Sequence, residues 1–334
     1  MTNVCFILDK VAFDDVYGAE CLAAISGNAR VLGPAPLTAA ELTDDPPAWL
    51  SEVDVLFTGW GSPVLEAALL SRMPRLRAVF YGAGSLRSIV TDACWERRLV
   101  FASAAAANAV PVVEYTLGAI LLSFKRVWHH ARLVRERHAY EPLRALPIPT
   151  GWNAVVGLYS LGLIGRGVAQ RLRGFNVRVL AHDPLLTPAQ FAELGAESVT
   201  LEALFSRSDI VSLHAPLLPE TMGVIDRGLL DLLKPEATFI NTARGGLVRE
   251  ADLTAFLRDR PDVQAVLDVT ESEPPAPESP LYDLPNVFLT PHIAGSIGPE
   301  CRRMGRAMVT EFQHYLRGEP LRHEVTRNLI ARLA

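Results

Sequence analysis

Three polar residues fall directly after short apolar runs rich in β-branched side chains, which is where an open α/β sheet presents its ligands. His292 follows "FLTP", Arg244 follows "FINTA", and Glu273 lies just past "VQAVLDVT". A histidine and a carboxylate at neighbouring strand ends suit acid-base work, because the carboxylate favours imidazolium and holds one tautomer, so the ring can donate a proton near neutral pH. A guanidinium beside Gly245 and Gly246 can grip a carboxylate through paired hydrogen bonds and draw charge from an adjacent carbonyl. Taken singly, His292 reads equally well as a packing or capping residue and Arg244 as a surface residue on a glycine turn. Their joint placement at strand ends is what points to chemistry. Glu271, two residues before Glu273, competes for the carboxylate role, and the spacing leaves both open.

A second constellation is the stretch "VVGLYSLGLIG", residues 155–165, a strand running into a turn of the G-x-G-x-x-G kind with Ser160 at the first glycine position. Gly162 and Gly165 keep the other two. A side chain at Gly162 would hold the backbone away from a pyrophosphate, and Gly165 lets helix and strand pack closely. Ser160 is expected to cost backbone comfort without blocking a ligand, and its hydroxyl could contact a phosphate. Asp183 ends the next strand, "VRVLAHD", eighteen residues past Gly165, where a carboxylate can take both ribose hydroxyls. The bland alternative is a turn aspartate before Pro184. Asp183 would also repel a 2′-phosphate, and "PLLTP" supplies no cation to neutralise one, so NAD is expected rather than NADP. His214, closing the strand of "SLHAP", is expected to wall the cofactor cleft. His129, His130 and His138 sit among Arg132, Arg135 and Arg137 with no acidic residue at ligand spacing, which predicts surface histidines and no metal.

The elements that must position these groups alternate along the chain. Strand-like runs such as "VCFIL", "DVLFTG", "RAVFYGAG", "AVVGLYS", "NVRVLAHD", "DIVSLHAP", "ATFINTA", "VQAVLDVT" and "NVFLTPH" are separated by helical stretches, the pattern of parallel sheets with crossover helices. At 334 residues the chain exceeds one ordinary core, so two such units are expected. The run "SAAAANAVPVVEYTLGAILLSFKRV" reads as a long linking helix with Pro111 near its start, and a second helix is expected over residues 299–316. Residues 107–296 then form a nucleotide domain inserted into a discontinuous domain of residues 1–106 and 297–334. A net charge of −5 gives no basic field to gather nucleic acid or an anionic membrane, leaving small ligands as the expected partners. Cys5, Cys21, Cys94 and Cys301 lack C-x-x-C spacing, which suits neither a disulfide framework nor a zinc site and fits a reducing cytoplasm. The apolar run at the amino end is too short for a signal peptide, so none is expected, and the apolar run "LGAILLSF" is far short of a membrane span.

Together these stretches resemble the D-2-hydroxyacid dehydrogenase family over nearly the whole chain: "GAG" at 82–84, "NAVPVVEYTLGAILL", "VVGLYSLGLIG", "HDP", "SLHAPLLPETMGVID", "NTARGGLVREADL", "LDVTESEP" and "LTPHIAGS". The resemblance implies an NAD-dependent oxidoreductase of two Rossmann-like or flavodoxin-like domains, with catalysis in the cleft between them and commonly a homodimer. It implies Arg244 as substrate anchor, His292 as proton donor and acceptor, and Glu273, directly before Pro274, as its partner in place of Glu271. It also implies Leu163 and Ile164 on the pyrophosphate, Asp183 on the ribose, Thr242 and Ala243 beside the cofactor, and Asp268 on the nicotinamide carboxamide. It further implies that Ala215, Pro216, Thr221, Ala294 and Gly295 line the same path and that backbone groups of Ala83 and Gly84 meet the substrate carboxylate. Departures are Ser160, Leu86 where many relatives carry Asp, and "RERHAYEP" where a Trp-containing segment is usual.

Two other readings stand beside this one: a related dehydrogenase of another small donor such as phosphite, and a non-catalytic NADH-sensing module of the corepressor type. Glu273 argues against formate, whose enzymes resemble this chain but carry Gln beside the His. The corepressor reading calls for long disordered extensions, which are not evident. Trp60 and Tyr81, at the ends of "LFTGW" and "AVFY", are candidates for a pocket wall or for simple packing. Arg72, Arg75, Arg77 and Arg87 suit an acidic substrate or a solvated face. No carboxy-terminal regulatory domain is expected.

Overall fold

The computed structural model describes residues 1–42, 47–140 and 151–330. The last two residues of the divergent "RERHAYEP" segment, Glu141 and Pro142, lie outside the described residues. The chain divides into two compact units, Met1–Ala109 with Ser296–Ala334, and Val110–Gly295.

The first unit holds β1 (Asn3–Ile7), β2 (Arg30–Val31), β3 (Val55–Thr58), β4 (Ala78–Tyr81) and β5 (Val100–Ser103) in one parallel sheet ordered β2-β1-β3-β4-β5. This is the flavodoxin-like order. Every residue of β1, β3 and β4 is buried, because a parallel sheet covered on both faces needs apolar runs rather than alternation. The helix Cys301–Leu316 returns to this unit after a short 3₁₀ turn at Gly298–Glu300, and its Phe312 ring packs at 5.2 Å from Phe57 and 5.7 Å from Phe80.

The second unit holds β6 (Ala154–Tyr159), β7 (Val177–His182), β8 (Ala196–Ser198), β9 (Ile210–Leu213), β10 (Thr238–Asn241), β11 (Gln264–Leu267) and β12 (Val287–Leu289). Its parallel sheet runs β12-β11-β10-β9-β6-β7-β8, so the order reverses at the β6/β9 pair. Ligands of doubly wound sheets bind outside the carboxyl ends of the strands at such a switch point.

The nine expected strands all form; β2, β5 and β8 are additions. Pro111 is not near the start of its helix: the helix spans Ala105–Ser123 and the proline lies inside it, where it removes one backbone donor. At 19 residues and a mean hydropathy of 1.5 this helix is long and apolar enough to cross a membrane by length and composition, longer than the run "LGAILLSF" suggests. Only Glu114 and Leu122 along it are exposed, which is the pattern of a core helix. His129 and His130 are half-buried rather than on the surface, and burial, with the neighbouring Arg126 charge, holds the His129 imidazole down at about 4.

Candidate active site

The loops leaving β10, β11 and β12 bring the first constellation together. His292 Nδ1 lies 2.6 Å from Glu273 Oε2, and the two side chains are 49% and 40% exposed, so the pair is open to a ligand. Of the two competing carboxylates it is Glu273's that meets His292, while the Glu271 backbone N–H donates to Glu250 Oε2 at 2.9 Å. The His292 backbone is left-handed, φ +53°, a conformation that costs a non-glycine residue and persists only where neighbours enforce it. Here Asp268 enforces it: buried at the end of β11, its carbonyl accepts from His292 N at 2.9 Å, and its carboxylate accepts from Ile293 N, Ala294 N and the Thr290 hydroxyl at 2.9, 2.9 and 2.6 Å. Asp268 therefore stands beneath the histidine loop as its backbone anchor.

Arg244 follows a turn made by Asn241, whose amide accepts from Ala243 N and donates to Arg244 O, both at 3.0 Å. An asparagine bonding its own backbone two residues on is a turn-forming device, and the Asn of "FINTAR" is the sequence signal for it. Among the described residues the one hydrogen bond of the guanidinium is Nη1 to Ala243 O, 2.6 Å, so most of its five donors remain for a ligand. Burial pulls the Arg244 guanidinium below its ordinary value while the Glu273 charge works the other way; it stays cationic at neutral pH. Gly245 matters sterically: a Cβ there would lie 1.9 Å from the Thr270 carbonyl carbon and oxygen, so only glycine lets the Arg244 turn rest against the loop that leads to Glu273.

At the β6/β9 switch point the fingerprint turn takes its shape from Ser160, whose φ is +73°. Glycine is preferred at this position because of that left-handed backbone. The serine hydroxyl does not face outward as a phosphate donor; it donates to Asp183 Oδ2 at 3.3 Å, and Leu161 N donates to the same oxygen at 2.8 Å. Gly165 is required by space, since a Cβ would come within 2.1 Å of Ser160 O, whereas a Cβ on Gly162 would meet nothing within 4 Å. That open ground lies at the start of the helix Leu163–Leu172, whose N-cap residue Gly162 offers no side-chain cap, leaving backbone donors for an anion. Leu163 is exposed and Ile164 half-buried beside it.

Relief of the Ser160 strain is measurable. Ser160→Gly is expected to raise unfolding stability by about 1 kcal/mol, the left-handed penalty less one long hydrogen bond, with NADH affinity kept. Urea denaturation with a parallel NADH titration checks it, and a destabilised variant would mean the serine contact outweighs the strain.

The remaining cofactor candidates of this unit line the same strand ends. His214 follows β9 with its N–H on Tyr159 O at 2.8 Å; its ring nitrogens are buried and have no hydrogen-bond partner among the described residues, and burial pushes the imidazole down to about 3, so it is neutral. Ala215 is buried next to it, and Thr221 closes the loop by donating to Pro216 O at 2.6 Å. Thr242 and Ala243 are buried after β10, and Ala294 and Gly295 follow His292. Open ground at Gly162, an uncapped helix start, a carboxylate at Asp183 and an orphaned neutral imidazole fit a dinucleotide.

Of the candidates in the first unit, Trp60 is 40% exposed after β3, but Tyr81 is only 5% exposed and packs in the core with Leu65, Leu86 and Phe101. Tyr81 is thus a packing aromatic, and the pocket-wall expectation does not hold for it. Leu86, where relatives were expected to carry Asp, belongs to the same core. Ala83 is buried and Gly84 half-buried, their carbonyls both accepting from the Ser103 hydroxyl, at 3.2 and 2.6 Å.

A doubly wound parallel sheet with a glycine-turn nucleotide site, joined in one chain to a flavodoxin-ordered sheet, defines a two-domain dehydrogenase fold. The chain belongs to the D-isomer specific 2-hydroxyacid dehydrogenase family, whose NAD binding domain matches residues 117–294. It is 38% identical over 232 residues to the (S)-sulfolactate dehydrogenase of Chromohalobacter salexigens, 69% of this chain and 74% of that protein. It is 33% identical over 272 residues to the D-3-phosphoglycerate dehydrogenase of Mycobacterium bovis, 81% of this chain but 51% of that protein, so it spans about half the length of that relative. The apo D-mandelate dehydrogenase of Rhodotorula graminis has the same fold, with a TM-score of 0.81 at 24% identity across 98% of both chains.

Proposed function

We propose that the protein interconverts a 2-keto acid and a D-2-hydroxy acid with NAD, using His292 and Glu273 as the acid-base pair and Arg244 as the carboxylate anchor. The observation that carries this reading is the 2.6 Å contact between His292 Nδ1 and Glu273 Oε2 at the open end of the sheet. Because Nδ1 is held by the carboxylate, Nε2 is the nitrogen left to exchange a proton with substrate. In the reducing direction the imidazolium donates from Nε2 to the forming alkoxide; in the oxidising direction the neutral ring, its proton kept on Nδ1 by Glu273, accepts at Nε2. Arg244 grips the substrate carboxylate and carbonyl so that one face of the carbonyl carbon is presented. A bound nicotinamide supplies the hydride or takes it up.

Asp183 supports NAD over NADP, since its carboxylate would oppose a 2′-phosphate. The unit comprising Met1–Ala109 and Ser296–Ala334 supplies the substrate-binding residues in this reading, with Trp60, Ala83 and Gly84 its candidates. A small-molecule substrate, a homodimer and a cytoplasmic setting complete the proposal; the four cysteines, all free and buried, suit a reducing compartment.

The test is NADH oxidation followed by nicotinamide absorbance against glyoxylate, hydroxypyruvate, pyruvate, phosphohydroxypyruvate, sulfopyruvate, and branched and aromatic 2-keto acids, with NADPH alongside. Turnover with at least one, and preference for NADH, is the expected result. NADH binding without turnover across that panel would overturn the reaction.

A further inference from the structure

The helix Ala105–Ser123 carries two adjacent polar residues that the reaction as drawn does not use. Tyr115 and Thr116 each reach a different catalytic loop. The Tyr115 hydroxyl lies 2.8 Å from Thr290 Oγ1, and Thr116 Oγ1 lies 2.9 Å from Thr242 Oγ1. Thr290 is two residues before His292, and Thr242 two residues before Arg244.

The direction of the first contact follows from its neighbours. Thr290 has one hydroxyl proton and gives it to Asp268 Oδ1 at 2.6 Å, so Tyr115 is the donor to Thr290. Burial pushes the Tyr115 phenol up, which keeps that proton in place. A chain thus runs from Tyr115 through Thr290 to the Asp268 carboxylate, which also receives Ile293 N and Ala294 N and whose carbonyl receives His292 N. His292 sits in a left-handed backbone, so the loop needs such bracing to hold its imidazole on Glu273. On the other side Thr116 is fully buried and Thr242 nearly so, their hydroxyls meet each other, and that contact pins the turn leading to Arg244.

We infer that Tyr115, acting through Thr290 and Asp268, is a positioning residue for His292, and that Thr116, acting through Thr242, is a positioning residue for Arg244. The inference rests on the proposed reaction for its kinetic arm and on spectroscopy for an arm that needs no turnover. One helix then sets two catalytic loops from two adjacent positions, a proton-transfer loop and a carboxylate-binding loop, with separable kinetic signatures.

The experiment compares Tyr115→Phe, Thr290→Val, their double variant and Thr116→Val, each of which removes a hydroxyl and keeps the shape. Tyr115→Phe is expected to lower kcat by about fivefold to tenfold, the worth of one buried hydrogen bond, with KM for NADH and the thermal midpoint near wild type. The double variant should be no slower than the slower single variant, because both cut one chain. Thr116→Val should instead raise KM for the keto acid with kcat held. In ¹⁵N NMR of the protein as purified, the His292 imidazole signals should move in Tyr115→Phe and stay put in Thr116→Val. Unmoved His292 signals in Tyr115→Phe, additive losses in the double variant, or losses that follow the thermal midpoint would each overturn the assignment of Tyr115. An unchanged KM for the keto acid in Thr116→Val would overturn that of Thr116. If wild type turns over no 2-keto acid yet the His292 signals still move in Tyr115→Phe, the reaction falls and the positioning of His292 stands.

Discussion

His292→Ala is expected to bind NADH as wild type does and to lose ~10²- to 10⁴-fold in kcat, the usual worth of positioned acid-base catalysis. The separation of effects follows from where the groups lie. The pyrophosphate and ribose features at Gly162, the start of the helix Leu163–Leu172 and Asp183 follow β6 and β7, while His292 follows the edge strand β12 and reaches only the reacting end of the cofactor path. Truncating the ring at Cβ also removes Glu273's partner, but that carboxylate is 40% exposed and water can take over, so folding should survive. Fluorescence titration with NADH and steady-state rates on the best keto acid provide the check. Turnover equal to wild type would remove His292 from the chemistry and, with it, the proposed pair.

Much of the scaffold was legible because strands buried on both faces must be apolar runs, and β1, β3, β4, β9, β10 and β11 are such runs. What escaped was short or masked by its neighbours. β2 is two residues and β8 three, too few for any period, and "VFAS" of β5 runs straight into the alanines that open the next helix. The site was legible as residue types at strand ends, and the choice between Glu271 and Glu273 needed either the family resemblance or the geometry, since both fall in one loop. Tyr115, Thr116, Thr290 and Asn241 were not legible as site residues. The first three meet partners 126 or 175 positions away, which no local pattern encodes, and Asn241 carries a local turn signal whose bearing on Arg244 only the geometry shows. Ser160 shows the converse. The expected backbone cost is there, a φ of +73°, but its hydroxyl is turned to Asp183 and not to a phosphate, which residue type alone does not show.

Gly245→Ala is the second large effect, because the glycine makes room where two catalytic loops cross. Its backbone does not need a left-handed conformation, so the substitution tests space alone. The added methyl would sit 1.9 Å from the Thr270 carbonyl carbon and oxygen and 2.4 Å from Glu271 N, all main-chain atoms that cannot swing aside. Thr270 is buried and tied to Ser272 O by its hydroxyl at 2.6 Å, so the stretch of residues 270–273 must shift together, carrying Glu273 with it. Overpacking of this kind typically costs about 1–3 kcal/mol of stability, and a displacement of ~1 Å in a catalytic group costs ~10²-fold in rate. The folded variant is therefore expected to lose ~10²-fold or more in kcat/KM, beyond anything its stability loss explains. Gly246→Ala is the control, since the atoms nearest its methyl belong to the Leu217 side chain, at 3.0 and 3.2 Å, which can rotate away. Urea unfolding and kcat/KM on both variants decide it. Wild-type activity in Gly245→Ala would show that the Arg244 turn and the Glu273 loop move independently, and that their close packing does not hold the acid-base pair and the carboxylate anchor in one geometry.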